Sequence, residues 1–175
     1  MSKIKLRVAS AHHAAVRFEC SIDVIWDDIV VGLGSGRRFQ AQGYRVAPVA
    51  DDPRAYLGGY RMWRDGDDDP DERLTFISER DDAARRLSLH AHYLGPNARG
   101  TIVNATYSAT RDEQGHWYRI DCHATQDIEV DEGVSPADVA TIMAKSKEEM
   151  DHYLRAALEA QKPDLEGARS LEQTR

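Results

Sequence analysis

The sequence predicts an α+β fold in which a curved antiparallel sheet of about seven strands wraps around one long C-terminal helix, with two short helices after the first strand. Three observations predict it. Residues 135–161 hold an unbroken helical period. Residues 44–129 fall into short alternating runs joined by polar turns. Ahead of them, a run of period two gives way to two helical segments bounded by glycines.

The long helix is marked at both ends. Ser135 is placed to cap the free N–H groups of the first turn, Pro136 fits the first helical position where no donor is needed, and Asp138 sits near the positive end of the dipole. Pro163 is expected to stop it. Val139, Ile142, Met143, Met150, Tyr153, Leu154, Ala157 and Leu158 follow in steps that gather on one helical face. Lys145, Lys147, Glu148, Glu149, Asp151, His152, Arg155 and Glu159 occupy the other, so water wets one side while the apolar side must lie on something.

The sheet supplies that surface. Val16, Phe18, Cys20 and Ile22 alternate with Arg17 and Glu19, which makes 14–22 the expected first strand; whether the earlier Ile4, Leu6 and Val8 pattern continues into it through Ser10 and His12 stays open. Short helices are expected over 23–31, begun by Ser21 or Asp23, and over 35–42, ended by Gly43 with Arg37 and Arg38 outward. Six strands follow at 44–49, 56–64, 73–80, 85–94, 101–110 and 117–129. Their short polar connections belong to a meander rather than to parallel units with long crossovers. One helix about 10 Å across cannot close everywhere over a curved sheet, so a cavity is expected between the two. The expected organisation is one domain over 1–162 and a mobile tail over 163–175, which is charged and poor in apolar residues.

Composition excludes several classes. With 41% hydrophobic and 30% charged residues, the 175-residue chain can both fill and cover a single core. A formal charge of −7 repels phosphate backbones, so no nucleic-acid partner is expected. No apolar run approaches the roughly 20 residues that cross a bilayer. Lys3, Lys5 and Arg7 also break up any early apolar stretch, so a cytoplasmic location without integral membrane contact is expected. Cys20 and Cys122 stand far apart with no CxxC partner and are expected to stay reduced, packed as small apolar groups.

The candidate chemical motifs are weak. His90 and His92, two apart on a strand, have zinc-chelating spacing. Leu87, Leu89, Ala91 and Tyr93 form the apolar set there, however, so both imidazoles should face solvent and no metal is expected. Asp65, Asp67 and Asp69 resemble a calcium loop, but Pro70 stands where the turn glycine belongs and Phe76 where the bidentate glutamate belongs. The glycines at 32, 34 and 36 match neither phosphate-loop spacing, and no cofactor is expected. There is no GxSxG elbow; a triad assembled from distant residues stays open. More telling, Tyr60, Tyr93, Tyr107 and Tyr118 share parity with Met62, Leu89, Val103 and Ile120, so several hydroxyls project into one apolar space. Each needs a partner when buried. That leaves open a well-satisfied core or a cavity holding water or a polar ligand group.

The element order resembles that of the START-like helix-grip (SRPBCC) superfamily. This superfamily includes birch-pollen-allergen-like proteins, lipid-transfer domains, polyketide cyclases and activators of the Hsp90 ATPase. Ser21-Ile22-Asp23-Val24-Ile25-Trp26 is similar to its strand-to-helix junction, 73–94 to its hairpin of middle strands, and 135–161 to its C-terminal helix. The resemblance implies a helix-grip fold whose cavity binds a small hydrophobic or aromatic, lipid-like or polyketide-like molecule. Within such a cavity, Tyr60, Met62, Phe76, Leu89 and Tyr93 are the expected contacts from the earlier strands. Tyr107, Tyr118, Ile142 and Met143 are those from the later strands and the helix. Two alternatives come with the resemblance. A polyketide cyclase or dehydratase-like enzyme would use tyrosine hydroxyls and an imidazole to protonate an enol or carbonyl. A module resembling the Hsp90 activators would have a filled core instead.

Overall fold

The computed structural model describes residues 2–64, 72–95, 98 and 100–167. Strand β1 (Lys3–Phe18) leads into helix α1 (Ile22–Asp27), which runs on as a π-helical turn, Asp28–Leu33, and is followed by α2 (Arg37–Ala41). Six strands come next: β2 (Arg45–Pro48), β3 (Gly59–Trp63), β4 (Arg73–Asp81), β5 (Arg86–Tyr93), β6 (Ile102–Asp112) and β7 (Gly115–Asp131). Helices α3 (Pro136–Glu159) and α4 (Lys162–Gly167) close the described chain.

The seven strands form one antiparallel sheet in the order β1-β7-β6-β5-β4-β3-β2. β1 pairs with β7 from Lys3 to Phe18, so the whole early alternation belongs to one strand, and Cys20 and Ile22 fall beyond its end. Residues directly opposite share a face. One row therefore runs Val16, Tyr118, Ala109; the next Ala14, Ile120, Tyr107, Leu87; the next His12, Cys122, Ala105, Leu89, Ile77. Beyond these, Tyr93, Arg73, Met62 and Val46 lie in register on the same inner face. The outer face carries Phe76 opposite His90, and Leu74 opposite His92.

The core sits on the inner face beneath the short helices. Ile25 and Trp26 of α1 and Ile29 and Leu33 of the π turn are buried against Phe18, Leu87, Ala109 and Tyr118. Ser21 starts α1 by accepting from the Val24 N–H. Gly36 has φ 76°, and a Cβ there would press on Val46 and the Tyr60 ring, so only glycine lets the α2 entry approach the sheet this closely.

Helix α3 begins with a capping box, in which Ser135 accepts from the Asp138 N–H at 3.1 Å and Asp138 accepts from the Ser135 N–H at 3.4 Å. It packs along β1. Its seam is narrower than the apolar pattern implies: only Leu158 is fully buried, while Ile142, Met150 and Tyr153 remain 47%, 42% and 65% exposed. Ser146 and Asp151 take up part of the seam instead, because Asp151 meets a polar partner on β1. Pro163 does not end helical structure. α4 follows within the stretch expected to be a mobile tail, with Pro163 in its first turn, where no N–H is needed. Leu165 packs on the core and the Glu166 carboxylate accepts from the Glu19 N–H at 2.9 Å. The acidic loop falls mostly on residues 65–71, outside the described residues.

Candidate functional site

The tyrosines converge as their parity requires. Tyr60, Met62, Leu89, Tyr93, Tyr107 and Tyr118 all lie on the inner face. Phe76 does not. It points to the outer side, buried under the Arg54 guanidinium, which stands 4.5 Å from its ring centre, so it is a structural residue of the convex face. Ile142 is half in solvent and Met143 is partly buried.

The roof over the tyrosines is α2, which the sequence pattern did not reveal. Arg38, expected outward, turns in: its side chain is 12% exposed, it binds the Asp28 carboxylate, and it donates to the Tyr118 hydroxyl at 3.0 Å. Phe39 lies 6.2 Å from Tyr60 and 6.1 Å from Tyr44, centre to centre. Arg73 enters from the floor, donating to the Tyr93 hydroxyl at 3.0 Å with its guanidinium 5.2 Å from the Phe39 ring. Two guanidinium groups and four phenols therefore occupy one interior region. The one available signal for Arg73 was its shared parity with Thr75 and Ile77; Arg38, beside Arg37 on a short helix, gave none.

Burial pushes the Tyr60, Tyr107 and Tyr118 hydroxyls above the ordinary phenol range, Tyr107 to about 12, although Arg38 acts against the rise at all three and Arg73 at Tyr60 and Tyr107. All three are hydrogen-bond donors at neutral pH. Two polar atoms here are buried without a hydrogen bond of good geometry, the Tyr60 hydroxyl, which has Thr75 as a near neighbour, and Arg38 Nε. Such atoms call for a partner in the space they face.

A cavity of about 430 Å³ adjoins Tyr60. Val30, Gly34, Ser35 and Gln40 line it from the roof, Val46 and Pro48 from β2, and Tyr60, Ile77 and Leu87 from the floor. A second cavity, about 350 Å³, lies between β1 and α3 against His13, Ala15, Asp151, His152 and Arg155. Of the residues expected to contact ligand, Tyr60 borders the larger cavity.

His90 and His92 lie on the outer face, half-buried, with their Nε2 atoms 2.7 Å apart and His90 Nδ1 2.6 Å from the Asn104 side-chain oxygen. No group of three or more metal-ligating side chains occurs among the described residues. No helix among them is long and apolar enough to cross a membrane.

Comparison with solved structures shows the fold. A protein of unknown function from Staphylococcus aureus superposes with a TM-score of 0.64 at 8% identity, over 94% of this chain and 98% of the other. The ZhuI aromatase/cyclase from Streptomyces sp. R1128 gives 0.51 at 16% identity, over 92% and 94%. Norcoclaurine synthase from Thalictrum flavum, in complex with dopamine and hydroxybenzaldehyde, gives 0.50 at 12% identity, over 69% and 71%. The chain has the helix-grip fold. No protein-family model matches it, and no curated protein matches its sequence.

Proposed function

We propose that the chain binds a small hydrophobic or aromatic molecule carrying at least one oxygen acceptor, held between the inner face of the sheet and the roof formed by α2 and the π turn. The observation that carries this reading is the buried Tyr60 hydroxyl at the border of a cavity of about 430 Å³ that Val30, Val46, Ile77 and Leu87 also line. A dry core leaves such a group at a cost of about 1–3 kcal/mol, whereas a ligand oxygen satisfies it. The norcoclaurine synthase complex gives support of a coarser kind, since a protein of similar fold holds two small hydroxylated aromatics. The same cavity speaks against the filled core of a protein-interaction module.

A catalytic reading of cyclase type has its own observation. Tyr93, partly exposed on the inner face, accepts from the Arg73 guanidinium at 3.0 Å, which steadies a phenol that gives its proton to a carbonyl or enol oxygen.

Titration with a naphthalene-sulfonate probe, followed by fluorescence, tests binding. Val46→Trp fills the cavity from β2 and is expected to abolish the signal while stability changes by no more than about 1 kcal/mol. Undiminished binding in a folded Val46→Trp protein rules out this cavity as the seat.

A further inference from the structure

Under α3, a second polar constellation has the geometry of a nucleophile with its base. Ser10 and His12 are two apart on β1 and point to the same inner face. The Ser10 hydroxyl lies 2.8 Å from His12 Nε2, and His12 Nδ1 lies 3.1 Å from Asp151 Oδ1 on α3. The imidazole is buried, so it is fixed between the two oxygens, while Ser10 is half-buried and reachable. We infer that Ser10, His12 and Asp151 form a serine esterase site, with Ser10 as nucleophile, His12 as general base and Asp151 as the positioning residue.

The protonation states agree with these roles. Burial alone would raise the Asp151 carboxyl, but hydrogen bonds from Lys147 and His12 hold it below its ordinary value, so it is ionised and takes the Nδ1–H. Nε2 is then free to accept the Ser10 proton. An oxyanion donor is also at hand. The His13 N–H points off the open edge of β1, reaching Asp151 at 3.4 Å, and the two-residue repeat turns the Ala11 N–H the same way. Ala11 follows the nucleophile directly, the position from which esterase backbones commonly stabilise the developing negative oxygen.

The substrate class follows from the floor beside Ser10. Ser10 is opposite Ala124, Ala124 opposite Val103, and Val103 opposite Ala91, all partly exposed. Such small side chains leave a shallow apolar trough that fits the acyl group of a carboxylic ester. The same row continues through Thr75 to Tyr60, so in seating the acyl group the inference rests on the ligand-binding reading above. In the reaction, Ser10 Oγ bonds to the ester carbonyl carbon as its proton passes to His12 Nε2. The carbon–oxygen bond to the alcohol then breaks, and the alcohol leaves with that proton. Water attacks the acyl-serine, gives a proton to His12, and the acyl–Oγ bond breaks as Ser10 recovers it, releasing the carboxylic acid.

The test uses the full chain with two phosphonylating probes and intact-mass readout. Diisopropyl fluorophosphate reports on the nucleophile alone, and a decyl fluorophosphonate adds a chain for the trough. The expected result is one adduct, mapped to Ser10, absent in Ser10→Ala. It should form roughly 100-fold or more slowly in His12→Gln and Asp151→Asn, with partial recovery in Asp151→Glu. Faster labelling by the decyl probe supports the acyl seat, and equal rates overturn that seat while keeping the triad. No Ser10 adduct from either probe on protein that still melts cooperatively overturns the esterase inference, leaving the naphthalene-sulfonate result to decide the ligand reading separately. Ser10→Ala removes a single hydroxyl, so its comparison with the parent holds even where His12→Gln does not fold.

Discussion

The Arg38 guanidinium donates to the Tyr118 hydroxyl at 3.0 Å while holding the Asp28 carboxylate, which ties the roof of the chamber to the centre of the sheet. The two halves of this link differ in what their loss leaves behind. Tyr118→Phe removes one hydrogen bond to a charged group and leaves Arg38 with Asp28, an expected cost of about 1–2 kcal/mol. Arg38→Met strands a largely buried carboxylate and should cost about 3 kcal/mol or more. Urea unfolding of both variants checks the order; equal losses would contradict the arrangement.

Alkaline pH should weaken the fold in two stages. Burial, aided by the charge of Asp151, pushes the Cys122 thiol up to about 11 from 9.0, and burial lifts Tyr107 to about 12 from 10.0. An unfolded chain sheds these protons first, so the stabilisation is complete below about pH 9, declines as the thiol of the unfolded state ionises, and falls further above about pH 10. Urea midpoints measured between about pH 8 and pH 11 should trace this decline, and Cys122→Ala should remove its earlier part.

Met143 lies partly buried on α3 beside the exposed Ile142, so the helix does not seal over the sheet there. Met143→Trp is expected to change stability by less than about 1 kcal/mol, since the ring can spread into open space, and to weaken probe binding. A loss of about 1–3 kcal/mol with binding unchanged would mean that this part of α3 is packed and takes no part in the site.

His90 and His92 meet each other on the outer face, with Asn104 as the further partner. Replacing both by alanine should cost no more than about 1 kcal/mol and leave probe binding untouched. Metal analysis of the purified protein should find no stoichiometric zinc, and one zinc per chain would overturn that reading.

Most of the architecture was legible because it rests on periodicity. The strands show two-residue alternation, and α3 shows its capping residues Ser135 and Asp138. The four tyrosines were legible for the same reason, and Phe76 was misplaced because its burial on the convex face looks identical in sequence to burial in the chamber. What escaped were polar residues doing interior work. Arg38 and Asp151 read as solvent-facing charges until the partners that neutralise them, Asp28 and His12, are brought near by the fold. Ser10 and His12 sat in the part of β1 whose assignment was open. α4 was hidden because Pro163 was taken as a stop, although the first helical turn tolerates proline.

The uneven seam of α3 sets a gradient of opening along its length. Its C-terminal end is anchored by Leu158 and continued by α4, while the half that begins at Pro136 rests on partly exposed side chains. Amide protons near Val139 and Met143 should therefore exchange through small openings that leave the sheet intact, whereas those near Leu158 should wait for global unfolding. Such a helix is held firmly at its far end and loosely at its near one.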